Sequence, residues 1–408
     1  MLPRFPFLPG GLALVATACA MPQPGVRYST PIEYTVLRGE QLHTERQIVE
    51  ERDIPLHTVF GNLASLGNRP MSVQLSTVLE APSVGGAPLR ITRLLQQNQI
   101  LLVAYASPDG RALGALALID MSDPEAPVLR AELQLPTMAV TSVALDGSSV
   151  YFAGFSGNPG QAQVGRISIQ GFEWQDDLKI QTLEMSTVSD LAVLGDKVWL
   201  LDRSQGQLLG LHKKDGGISS QLTVTSLEQL GRDAASLWMI RASQLVQLDP
   251  DLQVKASFPA EDAPLKQEAH GPIRIGQEMA MTILGEGGVR AFCQADQKAL
   301  FRVPAVIKAG LDPARSSTRD AALSHGLLLT ANGDAGVYVY SVRTDDQGNR
   351  CKDRSLQLEG YLDLGKNFQA EVLSWQHDVL SIGDGQGRLN LLHVDRDNFE
   401  ADDTDFDG

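Results

Sequence analysis

Apolar and polar residues alternate with period two through most of this chain, and the alternation recurs in units. Six segments share one shape, a short alternating strand, a turn at glycine or a polar residue, then a more apolar strand. They are "ITRLLQQNQILLVAY" (91–105), "VTSVALDGSSVYFAG" (140–154), "VSDLAVLGDKVWLLD" (188–202), "LEQLGRDAASLWMIR" (227–241), "TRDAALSHGLLLTAN" (318–332) and "QAEVLSWQHDVLSIG" (369–383). A weaker seventh, "HGPIRIGQEMAMTIL" (270–284), fits the spacing. The second strands start at Ile100, Val150, Val198, Leu237, Met279, Leu327 and Val379, at intervals of 50, 48, 39, 42, 48 and 52 residues. Period two is the signature of a strand with two distinct faces, and helical periodicity is nearly absent from 88 to 400.

Each unit continues through a hairpin turn such as "NGDAG" or "GDGQG". There glycine and asparagine supply the positive φ that a tight hairpin requires. A third strand follows ("LGALALIDM", "VYVYSVR", "RLNLLHV") and, in most units, a fourth ("VLRAELQL"). Four short antiparallel strands every 40–50 residues describe a blade of a β-propeller, in which each sheet covers its neighbour. The expected fold is all-β: seven blades of four antiparallel strands. The last unit has only three strands before an acidic tail. The alternating segment "MSVQLSTVLEA" (71–81) is expected to supply its fourth strand and close the ring.

The domain plan is a signal segment over 1–18, a tether and N-terminal extension over 19–70, the propeller over 71–400, and an acidic tail over 401–408. Residues 27–70 lack a core of their own. They are expected to lie against the propeller as extra strands or a short helix around Glu45–Arg52, and deletion of residues 20–60 is expected to be tolerated, whereas deletion through residue 82 is expected to open the ring.

The stretch "ALIDMSDPEAPVLRAEL" poses a choice between a binding site and a joint. Pro124 and Pro127 have no N–H to give a ladder, so they belong in a connection. Asp123 before Pro124 starts a turn, and "LVQLDPDLQVKASF" (245–258) repeats the plan with Asp249, Pro250 and Asp251. A joint between third and fourth strands is the expected reading. "LALIDMSDPEAPVL" and "LLLTANGDAGVYVYSV" (327–342) resemble the LVIVD repeat of bacterial and archaeal cell-surface β-propellers. The resemblance covers about a quarter of the chain, and the blades between the two copies depart from it. It implies the fold and a surface location, and that family brings no common catalytic residues.

Composition narrows the setting. The chain has 408 residues and a formal net charge of −15, of which Asp395 to Gly408 carry −6. Such a balance disfavours nucleic acid, whose phosphates need a basic stripe, and equally an anionic lipid surface. The N-terminus, "MLPRFPFLPGGLALVATACA", has one cation, a short apolar run and small residues, as an export signal does. Ala16-Thr17-Ala18-Cys19 is similar to a lipobox, in which Cys19 would be lipidated. Ala18-Cys19-Ala20 also fits simple cleavage. The expectation is an exported lipoprotein of the outer membrane, facing the periplasm or the cell surface. Cys293 and Cys351 form an even pair in an oxidising compartment and are expected to bridge, two free thiols being the alternative.

Candidate chemistry is sparse. The seven histidines (43, 57, 212, 270, 325, 377 and 393) are scattered, without metal-ligand spacing. Ser156 in "AGFSGNPG" sits at a hairpin tip. Tyr151, Trp199 and Trp238 share one place in three second strands, where they either stack on a sugar or fill the gap between sheets, the expected role. Asp403, Asp405 and Asp407 before Gly408 are similar to the first half of a calcium loop, but the later bidentate glutamate is missing. A solvated acidic tail is the alternative, and no cofactor other than calcium is expected. The functional expectation is a non-enzymatic, envelope-anchored scaffold that binds other envelope or surface proteins. The alternatives are a hydrolase or quinoprotein-like oxidoreductase using the central channel, and a polysaccharide-binding module.

Overall fold

The computed structural model describes residues 27–28, 33–38, 42, 46–58, 72–157, 161–223, 227–241, 244–259, 271–276, 279–306, 308, 310–324, 326–343, 355–366, 368–376 and 378–395. Seven antiparallel sheets form the blades, each with its first strand innermost. Blade 1 runs outward through Arg90–Gln97, Ile100–Ala106, Gly114–Asp120 and Val128–Leu135. Blade 2 uses Met138–Asp146, Ser149–Ser156, Ala162–Gln170 and Lys179–Leu183, and blade 3 uses Asp190–Leu194, Lys197–Asp202, Gln207–His212 and Ile218–Thr223. Blades 4, 5 and 6 start at Leu227–Arg232, Arg274–Ile275 and Asp320–Ser324. The seven units read from the sequence are these seven sheets.

Seven hydrophobic clusters hold the ring, one at each seam between neighbouring blades. Alternation explains how one strand serves two seams. In Ile100–Ala106, Leu101, Val103 and Tyr105 face blade 7, while Leu102 and Ala104 face blade 2. A strand buried on both faces must be apolar throughout, which is why the second strands read as continuous runs.

Blade 7 closes as expected. Ala370–Gln376, Val379–Asp384 and Leu389–Asp395 are completed by Ser72–Leu79, with Leu79 opposite Leu389 and Val73 opposite Val394. Ser76 Oγ donates to the Leu391 carbonyl at 3.0 Å, across 315 positions of sequence. Val73, Leu75 and Leu79 are buried, each contributing roughly 1.5–3 kcal/mol by transfer figures, as an upper bound.

The N-terminal extension is part of the sheets. Arg27–Tyr28 adds a fifth strand to blade 2, Thr35–Arg38 to blade 1, Gln47–Asp53 to blade 7 and Leu56–Thr58 to blade 6. It encircles four blades in the order 2, 1, 7, 6, opposite to the path of the rest of the chain. Within the stretch around Glu45–Arg52, the strand begins at Gln47 and the described residue just before it, Arg46, is helical. Polar anchors fix the belt. Arg46 ion-pairs with Glu132, and its guanidinium gives two bonds to the Glu80 carbonyl at 2.6 and 2.9 Å. Gln47 pairs with the backbone of Pro127 and Leu129, and Arg38 donates to the Trp174 carbonyl at 2.6 Å.

Candidate functional site

The acidic joint is structural. Asp120 accepts from the Ser122 N–H at 2.9 Å and from Arg130 at 2.7 Å, and Asp123 accepts from the Glu125 N–H at 3.1 Å. Serine and arginine bonds outweigh burial and hold the Asp120 carboxyl below its ordinary value. Asp249 repeats the device, accepting the N–H groups of Asp251 and Gln253 at 2.9 and 2.8 Å. Side chains that close their own turn in this way cap the connection between two strands.

The central channel is lined by all seven first strands and leaves a cavity of about 170 Å³. Apolar and small residues predominate, but two buried aspartates organise it. Asp190, at the head of blade 3, accepts from Ser142 Oγ of blade 2 at 3.0 Å and from the Leu230 N–H of blade 4 at 3.2 Å. It also ion-pairs with Arg93 of blade 1. Asp320, at the head of blade 6, takes Arg274 of blade 5 at 2.7 Å and the Leu373 N–H of blade 7 at 3.0 Å. Between them the two carboxylates tie together all seven blades. Each arginine is held by a carboxylate or, for Arg232, reaches the Leu145 carbonyl at 3.4 Å.

The aromatic positions fill seams. Trp199 and Trp238 are fully buried, in the clusters between blades 3 and 4 and between blades 4 and 5. Gly210 makes room for Trp199, since a Cβ there would meet the ring at 2.9 Å. Tyr151 belongs to the seam between blades 2 and 3, where its rim meets a surface cleft. Of the histidines, His57 meets Asp363 at 3.2 Å and His212 meets Asp196 at 3.5 Å. No cluster of three or more histidine, cysteine or acidic side chains suited to a metal occurs among the described residues. Cys293 is buried and disulfide-bonded. Cys19, Cys351, Asp403, Asp405 and Asp407 lie outside the described residues.

At the start of the first strands of blades 6 and 7, Glu371 faces Arg319 at 3.7 Å. Burial pushes its carboxyl above the ordinary glutamate value, Arg319 and Arg90 pull it down, and Asp334 and Asp384 add to the rise. Those two acids are already engaged, Asp334 by Gln369 at 2.6 Å and by Arg315, and Asp384 by Arg388 at 2.7 Å.

An open cavity of about 670 Å³ is a cleft between blades 2 and 3. Its floor is apolar, built from Tyr151, Val164, Val198 and Leu211. Arg166, Lys179, Lys213 and Lys214 line it, with Asp215 as the one carboxylate. Arg166 is positioned by Ser149 Oγ at 3.0 Å and lies 5.9 Å from the Tyr151 ring centre. Burial raises the Tyr151 phenol, against the pull of Arg166. A second lobe of about 620 Å³ shares Tyr151, Arg166 and the 212–215 hairpin, and continues to Asp146 and Asp196. Lys213 is paired with Asp146 there. The cleft was not legible in the sequence, because its cations come from two blades. Only the doublet Lys213-Lys214 in "LHKKDGG" marks it locally.

No protein-family model matches this chain, and no curated protein matches it. Solved structures do share its fold. The WD40 repeats of RRP9 align with a TM-score of 0.55 and 13% identity, over 78% of this chain and 97% of that one. The β-propeller domain of Cps50 (Swd1) from Myceliophteria thermophila aligns with a TM-score of 0.52 and 14% identity, over 80% and 100%. An inactive virginiamycin B lyase from Staphylococcus aureus, with quinupristin, aligns at 0.53 and 10% identity, over 79% and 99%. At such identities the likeness extends to the fold alone.

Proposed function

We propose that this β-propeller is a non-enzymatic interaction scaffold, exported and tethered to the bacterial outer membrane through Cys19, that binds other envelope proteins. The observation that carries the reading is the state of the channel. Its charged side chains are spent on joining blades, through Asp190 and Asp320, rather than gathered around a vacant centre. An open recess lies instead outside the channel, between blades 2 and 3. Propellers suit binding because turns from every blade converge on two faces. The lipobox-like Ala16–Cys19 segment and the resemblance to LVIVD-repeat propellers support the envelope setting.

Two measurements test this. Cys19→Ser is expected to move the protein from the membrane to the soluble fraction, and an unmodified N-terminus in mass spectrometry would refute the anchor. In-cell cross-linking followed by purification from solubilised membranes is expected to return a reproducible set of envelope proteins. Recovery of the chain alone would refute the scaffold.

A further inference from the structure

We infer that the cleft between blades 2 and 3 is the docking site for an extended, acidic and apolar peptide segment of a partner protein. The proposal deepens the scaffold reading by naming the face used and the chemistry recognised.

Shape comes first. The cleft runs radially, from Tyr34 and Lys179 at the outer wall to the turns of Asp146 and Asp196 near the axis. Those turns follow first strands, whereas Lys179 opens a fourth strand. Three strand spacings of about 4.8 Å make the trough roughly 14 Å long. An extended peptide rises about 3.3 Å per residue, so about four or five residues fit. The two lobes, about 670 and 620 Å³, share Tyr151, Arg166 and the 212–215 hairpin. A compact ligand fills one lobe, and a strand-like segment fills both.

Charge then selects the segment. In a chain of net charge −15, the outer lobe collects four cations against one carboxylate. At the inner end the charges cancel, Lys213 with Asp146 and His212 beside Asp196. Lys179 and Lys214 are exposed, and no ion pair engages either among the described residues. They are left to meet carboxylates. Between the cations the floor of Tyr151, Val164, Val198 and Leu211 offers apolar contact. Acidic residues alternating with large apolar ones match a trough with cations on its rim and an apolar floor, since alternate side chains of an extended strand point to opposite sides.

The test uses purified chain and a fluorescein-labelled synthetic peptide of alternating Glu and Leu, read by anisotropy. Its Lys/Leu counterpart is the charge control. Lys179→Glu/Lys214→Glu is compared with Lys298→Glu/Lys308→Glu, which changes net charge equally but lies on blade 5 and the segment after it. The Glu/Leu peptide is expected to bind the unmodified chain, and the cleft variant to weaken it at least about tenfold, equivalent to roughly 1.4 kcal/mol. The control variant is expected to leave its affinity unchanged. No binding of the Glu/Leu peptide, equal weakening by both double variants, or weakening by neither would overturn the proposal. All four lysines are surface residues, so thermal melts of the variants should match the unmodified chain. Cross-linked partners recovered without peptide binding would leave the scaffold standing and remove this site.

Discussion

Arg46 and Glu132 form an ion pair inside the wall of the ring, where Arg46 is 8% exposed and Glu132 1%. Arg46 belongs to the N-terminal belt, and Glu132 to the fourth strand of blade 1. The guanidinium also reaches the Glu80 carbonyl and lies 5.7 Å from the Tyr105 ring centre. One belt side chain thus joins blades 7 and 1. A buried charge stripped of its partner costs about 3–5 kcal/mol, although an apolar pair of the same volume can replace both. Glu132→Ala and Arg46→Ala are therefore expected to lower the melting temperature clearly, and Arg46→Met/Glu132→Leu to recover most of it. A single variant that melts like the unmodified chain would refute this role.

The belt and the closing strand are expected to differ in what their loss does. Deletion through residue 60 removes Arg46 and outer strands from blades 1, 2, 6 and 7 but leaves each of these blades four strands. The protein is expected to remain folded with a reduced melting temperature, the deletion being tolerated by the fold and not by stability. Deletion through residue 82 strips Ser72–Leu79 from blade 7 and exposes an unpaired edge. Aggregation on size exclusion is the expected result. A monomer with an unchanged melting temperature would contradict closure.

Asp190→Ala leaves Arg93 uncompensated and removes the acceptor of the Leu230 N–H. Asp320→Ala does the same to Arg274 and the Leu373 N–H. Each is expected to cost about 3–5 kcal/mol. Hydrogen exchange should show loss of protection in blades 1–4 for the first variant and 5–7 for the second. Uniform change across the ring would argue against two separate ties.

Asp202 supplies a pH dependence. Burial opposes its charge, but Ser204 at 2.6 Å, Ser186 at 2.7 Å and the Gln205 N–H at 3.1 Å outweigh it and hold the carboxyl below its ordinary value of 3.8. A lowered folded-state value contributes stability that is present above the unfolded value and lost as pH falls through the folded one. Asp202→Asn should therefore be less stable near neutrality, with the gap closing below about pH 4. A gap of constant size down to acid pH would exclude this assignment.

Cys293 is disulfide-bonded, and its expected partner is Cys351. The chain holds three cysteines, so unfolded, unreduced protein should titrate with no more than one thiol, that of Cys19 where unlipidated. A non-reduced digest should yield the linked Cys293 and Cys351 peptides. Reduction is expected to cost about 2–4 kcal/mol. Titration of both Cys293 and Cys351 as free thiols would reject the bridge.

What the sequence determined is the part of the structure that is local. Period-two alternation, apolar second strands and turns at glycine repeat with every blade, and a sheet covered on both faces imposes them within a few residues of one another. The closing strand was legible too, because Ser72–Leu79 carries that alternation while the last unit lacks a partner strand. The belt was only half legible, since Gln47–Asp53 has few apolar residues and becomes a strand by borrowing the edge of blade 7. The tie at Asp190 and the cleft were decided by tertiary structure alone. Asp190 gathers Arg93, Ser142 and Leu230 from positions 97, 48 and 40 residues away. In the sequence it is one aspartate within an alternating first strand. Lys179 and Lys214 sit on different blades and become one cationic rim only when the ring sets blade 2 against blade 3. A strand's own pattern records which of its faces are buried. Which residue stands opposite depends on the order and angle of the sheets, and no local pattern encodes that.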